Sequence, residues 1–502
     1  MQLQSPDTDI RAEARSHWSP FTSWSAPGGG RELLRIAVPL IVSNSVWTLQ
    51  ITLDRMMLSW LGQEHVGAAM TAVMLFWTPL ALFQTTAGYS TTFVAQYLGA
   101  GRPERVGPAV WQALWFSLVA GIGFLAFIPS AETLVSWGDH SPHVQQLEAE
   151  YFYCLCFSAL PTMIVAAASG FFAGRGDSWT VLLINVVGLV VNGVLDYLWI
   201  FGHGGFPALG IVGAGWATVV GTGVSAAVAV ALLFQRKYRE EFQMLAGWRF
   251  EADLFNRLMR YGLPSGLQWA LEGLAWTGFL FMVGRLGDAE LAASSIAFTL
   301  NAVAFMPTMG IGQAIQVLVG QRLGQDQPRL AERTVWTGLG LAMIFMVSIA
   351  LLYLLTPGMF LFLFESQSEH DAALRLQVAA IIPVLLQFIA VYSLFDGMNL
   401  VFAFALKGAG DTRFVTVASV GLAWPLMVVP SWAAWHYGWG LYWAWTFAST
   451  YIVVLAWVLF WRFRGGRWQE MRVIETGLDR EPATDHTVVS PVEEGISCSK
   501  AS

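Results

Sequence analysis

Four carboxylates lie inside apolar stretches of this sequence: Asp54, Asp196, Glu272 and Asp396. An Asp at the centre of a helix in lipid costs about 2.5 to 3.5 kcal/mol, so each group needs a partner, water or a role. Their polar neighbours recur at helical spacing. Trp47 and Gln50 precede Asp54 by seven and four residues, and Asn185, Asn192 and Asp196 are spaced by seven and then four, so each set shares a helix face. Gln268 stands four before Glu272, and Tyr392, Asp396 and Asn399 form a fourth group. Oxygen atoms gathered in this way can hold a proton or a hard cation. The plain alternatives are an Asp54–Arg55 ion pair, an interfacial anchor at Asp196 beside Tyr197 and Trp199, structural pairing of Glu272, and a helix kink at Asp396–Gly397.

The elements that carry these groups must cross a bilayer. The chain has 502 residues, 55% hydrophobic and 12% charged, with mean hydropathy +0.54, a composition outside that of soluble domains. Punctuation by Gly, Pro and charge predicts twelve spans, near 33–60, 66–98, 106–128, 147–173, 178–201, 210–235, 254–286, 291–322, 332–364, 372–407, 412–437 and 439–464. The expected fold is all-α integral membrane. The first thirty residues lack the pattern of a removable signal peptide. Cys154, Cys156 and Cys498 offer neither a metal spacing nor a disulfide. His65, His140, His143, His203, His370 and His436 fall toward span ends or loops, so no catalytic cluster forms and an enzyme is not expected. No nucleic-acid partner is expected either.

Residues 31 to 123 reappear at a constant offset of 225: Arg35 with Arg260, Pro39 with Pro264, Gly62 with Gly287, Gln96 with Gln321, Gly99 with Gly324, Pro103 with Pro328 and Trp111 with Trp336. Gly174-Arg-Gly-Asp177 pairs with Gly408-Ala-Gly-Asp411 at an offset of 234. The duplicated unit contains six spans. An even number makes both halves enter from the same side, giving two six-helix lobes related by a pseudo-two-fold axis along the membrane normal, with a cleft between them. The predicted organisation is an arm at 1–30, an N-lobe at 31–235, a connector at 236–253, a C-lobe at 254–464 and a disordered tail at 465–502. Basic residues such as Arg102, Arg105, Arg236, Lys237, Arg322, Arg329, Lys407 and Arg413 share one face, whereas Glu132, Asp139, Glu148, Glu150, Asp288, Glu290, Glu365 and Asp371 mark the other. The positive-inside rule then places both termini in the cytoplasm.

In order, spacing and duplication, the residues from 31 to 464 resemble the multidrug and toxic compound extrusion (MATE) family of secondary transporters. The stretches that carry the likeness are Pro39 through Asp54 to Gly62, Gln96-Tyr-Leu-Gly-Ala-Gly101, Asn192-Gly-Val-Leu-Asp196, Gly213-Ala-Gly-Trp-Ala-Thr218, Gly262-Leu-Pro264, Glu272, Gln321-Arg-Leu-Gly324 and Asp396 with Gly408-Ala-Gly-Asp411. The resemblance implies export of cationic, amphiphilic compounds in exchange for H+ or Na+ by alternating access, from an inner membrane, by a protein expected to be a monomer. No organic cofactor is implied. It also implies an N-lobe cation site at Asp54, Asn192, Asp196 and Thr218, where Na+ is one candidate ion, and a C-lobe acidic pair at Glu272 and Asp396 for coupling or substrate. Trp47, Gln50, Gln268, Tyr392 and Asn399 are expected to line the cleft. The rival is a flippase for a lipid-linked precursor on a related duplicated scaffold, for which a basic cleft would be expected.

Overall fold

A computed structural model describes residues 24–136, 140–358 and 372–475. Because lipid offers the backbone no hydrogen bonds, each apolar run closes its own as a helix. The first half contributes α1 (Gly30–Ser59), α2 (Gln63–Gly88), α3 (Ser90–Gly99), α4 (Val106–Phe124), α5 (Pro142–Gly174), α6 (Ser178–Phe201) and α7 (Ile211–Leu233). The second contributes α8 (Ala252–Gly284), α9 (Asp288–Gly324), α10 (Pro328–Leu355), α11 (Ala372–Ala409), α12 (Thr412–Ala423), α13 (Val429–His436) and α14 (Leu441–Arg464). Helices α2 and α3 are one span interrupted at Tyr89. Helices α12 and α13 are one span through a π-turn at Trp424–Val428, where Pro425 removes a backbone donor.

Eleven of the resulting spans are long and apolar enough to cross a membrane on composition alone. The twelfth, α8, runs 33 residues but carries Arg257, Arg260, Gln268 and Glu272, which dilute its apolar content. The chain is a multi-pass membrane protein of two six-helix lobes. The duplication is visible at atomic detail. Gly62 and Gly287, matched in sequence, precede α2 and α9 with nearly the same backbone, φ 151 and ψ 156 against φ 159 and ψ 164. An L side chain rarely adopts either conformation.

The lobes meet through α1 against α9 and α2 against α8, two crossings exchanged by the pseudo-two-fold. At one end the crossing becomes a seam. Gln96 Nε2 donates to the Gly408 carbonyl at 3.0 Å, and its repeat mate Gln321 donates to the Gly174 carbonyl at 2.8 Å. A Cβ on Gly99 would stand 2.0 Å from the Gln321 carbonyl oxygen, and one on Gly324 would stand 2.2 Å from that of Gln96. Both glycines permit a backbone approach that alanine would forbid. Gln316 to Thr92 at 2.8 Å and a Glu32–Arg322 ion pair extend the closure. Among the described residues, the inter-lobe hydrogen bonds reach no farther along α1 and α9 than Asn44 with Gln313. The distal halves of those helices carry no such tie.

The connector packs firmly on α4. Trp111 Nε1 donates to the Met244 carbonyl at 2.7 Å and Trp115 Nε1 to that of Trp248 at 2.9 Å. Its repeat mate Trp336 instead packs on Phe402 and Phe463, so this repeat position changed its task. Residues 467–475, expected within a disordered tail, return to the seam. Trp468 stacks on Phe463 at 4.9 Å, and the Val473 N–H donates to Gln96 Oε1 at 2.8 Å. Glu475 takes the Tyr97 hydroxyl at 3.0 Å and pairs with Arg105 at 3.2 Å. Burial works against the Glu475 charge, but a backbone N–H, Tyr97 and Arg105 together hold its carboxyl below the usual Glu range. Asp139, Glu365, His370, Asp371, Cys498 and most of the expected terminal arm and tail lie outside the described residues.

Candidate functional site

In the N-lobe, α1 delivers Asp54, α6 delivers Asn192 and Asp196, α7 delivers Thr218, and α5 adds Tyr151. Asp54 is 8% exposed, and Asn192 and Asp196 are fully buried. The helical spacing read from the sequence explains the α6 face: Gly188, Asn192 and Asp196 all turn inward. Close packing fixes that face, because a Cβ on Gly221 of α7 would meet the Asn192 side chain at 2.8 Å. The Asp54 and Asp196 carboxyls lie within hydrogen-bond reach of one another, so a proton can bridge them. Tyr151 stands beside both and within reach of the Thr218 hydroxyl. Thr218 Oγ1 donates to the Ala214 carbonyl at 3.1 Å, leaving its lone pairs free.

What sets this cluster apart is a shortage of partners. Asp54 Oδ1, both Asp196 carboxylate oxygens, and Asn192 Oδ1 and Nδ2 are buried without a hydrogen-bond partner among the described residues. Buried polar atoms are nearly always paired, so several unpaired ones in one place set this cluster apart from the rest of the lobe. Two carboxylates, an amide oxygen and a hydroxyl form an all-oxygen set, suited to a hard cation or a shared proton. Among the described residues no group of three or more His, Cys, Asp or Glu side chains has metal-site geometry, so a transition-metal centre is not what the donors resemble. The plain alternative of an Asp54–Arg55 ion pair is not seen among the described residues: Asp54 is buried and Arg55 is exposed.

The C-lobe cluster is built differently. Tyr451 of α14 donates to Glu272 Oε1 at 2.7 Å, and Gln268 donates to Oε2 at 3.1 Å. Gln268 also reaches Ser419 Oγ of α12 at 3.1 Å. Asp396 is 9% exposed, with Asn399 in hydrogen-bond reach and Glu272 near enough to repel it. Tyr392 stacks against Trp445 at 6.4 Å, and its hydroxyl is unpaired. Sequence spacing placed Gln268, Glu272, Asp396 and Asn399 in the lobe interior. It missed Tyr451 and Tyr151, each on a different helix from the carboxylates it stands beside, and Ser419, which accepts from Gln268 across helices; periodicity within one helix carries no signal there.

Between the lobes, directly above the seam, lies a cavity of about 350 Å³. Its polar lining includes Asn44, Gln84, Asn185, Gln313 and Gln316 beside several hydroxyl groups, its aromatic lining includes Trp77, Trp269 and Phe404, and among the described residues its one charged residue is Lys407. None of Trp47, Gln50, Gln268, Tyr392 and Asn399 lines it. Trp47 packs on the lining residue Trp77, with ring centroids 4.9 Å apart and planes tilted by 33°, whereas Gln268, Tyr392 and Asn399 are buried inside the C-lobe. Lys407 was expected among the basic loop residues, but is 3% exposed. A cation two residues from a helix end reads as interfacial in sequence, and only the lobe packing turns it inward.

The family model described as MatE matches residues 39–198 and 264–433, one match in each lobe. The chain belongs to the MATE family. Similar MATE proteins include a probable multidrug resistance protein NorM of Xanthomonas campestris pv. campestris, 30% identical over 401 residues, 78% of this chain and 85% of that one. The multidrug resistance protein NorM of Burkholderia vietnamiensis is 28% identical over 431 residues, 86% of this chain and 92% of that one. A solved structure described as the outward-facing conformation of a multidrug resistance MATE family transporter superposes with TM-score 0.80 at 20% identity, covering 91% of this chain and 100% of that one. The MATE fold is thereby fixed for both lobes.

Proposed function

We propose that this MATE chain is a secondary active multidrug efflux transporter that exports cationic amphiphilic compounds in exchange for H+ or Na+ by alternating access. The observation that carries the reading is the N-lobe constellation: buried carboxylates of Asp54 and Asp196 with Asn192 and Thr218, unpaired in an otherwise apolar lobe. Curated relatives named as multidrug resistance proteins support the export of drugs. Basic loops gather at the sealed end, so the seam is cytoplasmic, both termini are inside, and the cleft faces outward from a bacterial-type inner membrane. The working boundaries are an N-lobe at 31–235, a connector at 236–253 and a C-lobe at 254–464, acting as a monomer.

The physics of exchange follows from the unpaired oxygens. In the outward-facing state, H+ or Na+ entering the N-lobe would neutralise Asp54 and Asp196 and draw α1 toward α6. An ion shifts the two-state balance only by its difference in affinity for the two states. A site complete in one helix arrangement and open in the other supplies that difference. Glu272 and Asp396 support the C-lobe side of the cleft, with Glu272 already held by Tyr451 and Gln268. A flippase for a lipid-linked precursor is not favoured, since the cavity offers a single lysine among amides and aromatic rings.

Vesicles containing the purified protein and loaded with ethidium test the reading, with a pH gradient and a Na+ gradient imposed separately. Efflux driven by at least one gradient is expected. Failure of both to drive any amphiphilic compound would sink the assignment.

A further inference from the structure

The cavity between the lobes has a polarity that the acidic clusters would not suggest. Asp54, Asp196, Glu272 and Asp396 all lie outside its lining, so the one formal charge facing the space is that of Lys407. Its ammonium group stands 5.6 Å from the Trp269 ring centroid and 5.4 Å from that of Phe404, both cavity walls. Ring faces attract a cation but do not neutralise it. Among the described residues no carboxylate forms an ion pair with Lys407, and Glu272 acts on it only as a charge beyond pairing distance. A buried ammonium without a direct ion-pair partner is costly. Lysine near a helix end ordinarily turns its head toward water, yet here the head turns inward.

The backbone at this position is committed to the seam. The Lys407 carbonyl accepts from the Tyr89 hydroxyl at 2.7 Å, and the next carbonyl, of Gly408, accepts from Gln96. The side chain is therefore held at the sealed floor of the cavity, with Trp77, Trp269 and Phe404 around the space and Asn185, Gln313 and Gln316 available as neutral donors.

We propose that Lys407 is a specificity-determining residue, and that the cavity takes amphiphiles bearing a carboxylate, seated on the Lys407 ammonium with their apolar or aromatic body against the tryptophans. The inference rests on the reading of the chain as an exporter whose cargo occupies the inter-lobe cavity.

The test compares pyrenebutyrate with its uncharged counterpart pyrenebutanol, bound to the purified full-length protein and read by energy transfer from tryptophan to pyrene. A charge-assisted hydrogen bond in a dry site predicts about tenfold tighter binding of the acid. Lys407→Met should bring the acid-to-alcohol ratio to about one, and Lys407→Arg should retain the preference. Loss of binding of both compounds in equal measure on Lys407→Met would overturn the proposal, because a merely structural lysine does not discriminate between them. Equal binding of the two by the parent would overturn it without any variant. Ethidium efflux by the parent, measured in the same preparation, separates the outcomes: efflux without acid preference defeats this inference alone, and absence of efflux defeats the transporter reading beneath it.

Discussion

The two lobes share a scaffold and differ in how they treat acid. In the N-lobe, Asp196 is fully buried with neither carboxylate oxygen bonded among the described residues, and Asp54 Oδ1 is in the same condition. In the C-lobe, both oxygens of Glu272 accept hydrogen bonds, from Tyr451 at 2.7 Å and Gln268 at 3.1 Å. A satisfied carboxylate can remain as it is in either transport state. An unsatisfied pair needs a positive charge to be stable. On the proposed reading the difference favours the N-lobe as the place of ion exchange and gives Glu272 a supporting role, even though the duplication gave each lobe the same helices.

The sharpest way to break the comparison is to neutralise one lobe at a time. Asp54→Asn and Asp196→Asn are each expected to lower gradient-driven efflux to the level of empty vesicles, since one remaining carboxylate no longer demands the ion. Glu272→Gln should leave measurable efflux; loss as complete as in the N-lobe variants would erase the distinction.

The seam common to both lobes comes next. Gly99→Ala or Gly324→Ala would push a methyl group into the opposite backbone, at a cost of about 1 to 3 kcal/mol to the sealed state. Accessibility of a cysteine placed on the cytoplasmic side of the cavity should rise toward a membrane-impermeant thiol reagent. Unchanged labelling would mean that the close approach is not maintained in the membrane.

Within the C-lobe, Tyr451→Phe removes a hydrogen bond to a charged group, worth about 1.5 to 3 kcal/mol. The expected outcome is a lower melting temperature with coupling to the gradient preserved. If it uncouples transport, Glu272 is doing more than support.

The smallest effect belongs to the returning segment. The carboxyl of Glu475 is held below its ordinary value, so its contribution to the closed seam is full above the unfolded Glu pKa and fades as pH falls through the lower folded value. For a partly exposed pair this amounts to about 1 kcal/mol or less. The parent should lose more melting temperature between neutral and acidic pH than Glu475→Gln does; parallel curves would deny the latch.

Much of this was legible before any coordinates. The offset of 225 gave two lobes because matching Gly62 with Gly287 and Gly99 with Gly324 encodes backbone geometry that few other residues can adopt. The spacing of Asn192 and Asp196 gave the inward face of α6, because seven and four residues complete nearly whole helical turns. What stayed hidden depended on which helices become neighbours. Tyr151 and Tyr451 stand beside carboxylates of other helices and Ser419 bonds to Gln268 of another, and a single sequence does not say who faces whom. Lys407 reads as a loop cation until Trp269 of α8 and Phe404 of α11 are seen beside its ammonium group. Gln96 and Gln321 read as loop-entry residues, and their reciprocal bonds to Gly408 and Gly174 emerge only from the two-fold packing.

The central claim is that an ion held by the N-lobe carboxylates and a cargo in the inter-lobe cavity favour opposite states of one equilibrium, so that binding of one releases the other. Purified protein in weakly buffered detergent, loaded at fixed pH or with Na+, can be mixed with ethidium while released protons are followed by a pH dye and released Na+ by a sodium-sensitive dye. Release from the parent and from Glu272→Gln, with none from the Asp54→Asn/Asp196→Asn double variant, is the predicted result. Release from the double variant equal to that of the parent would contradict the account.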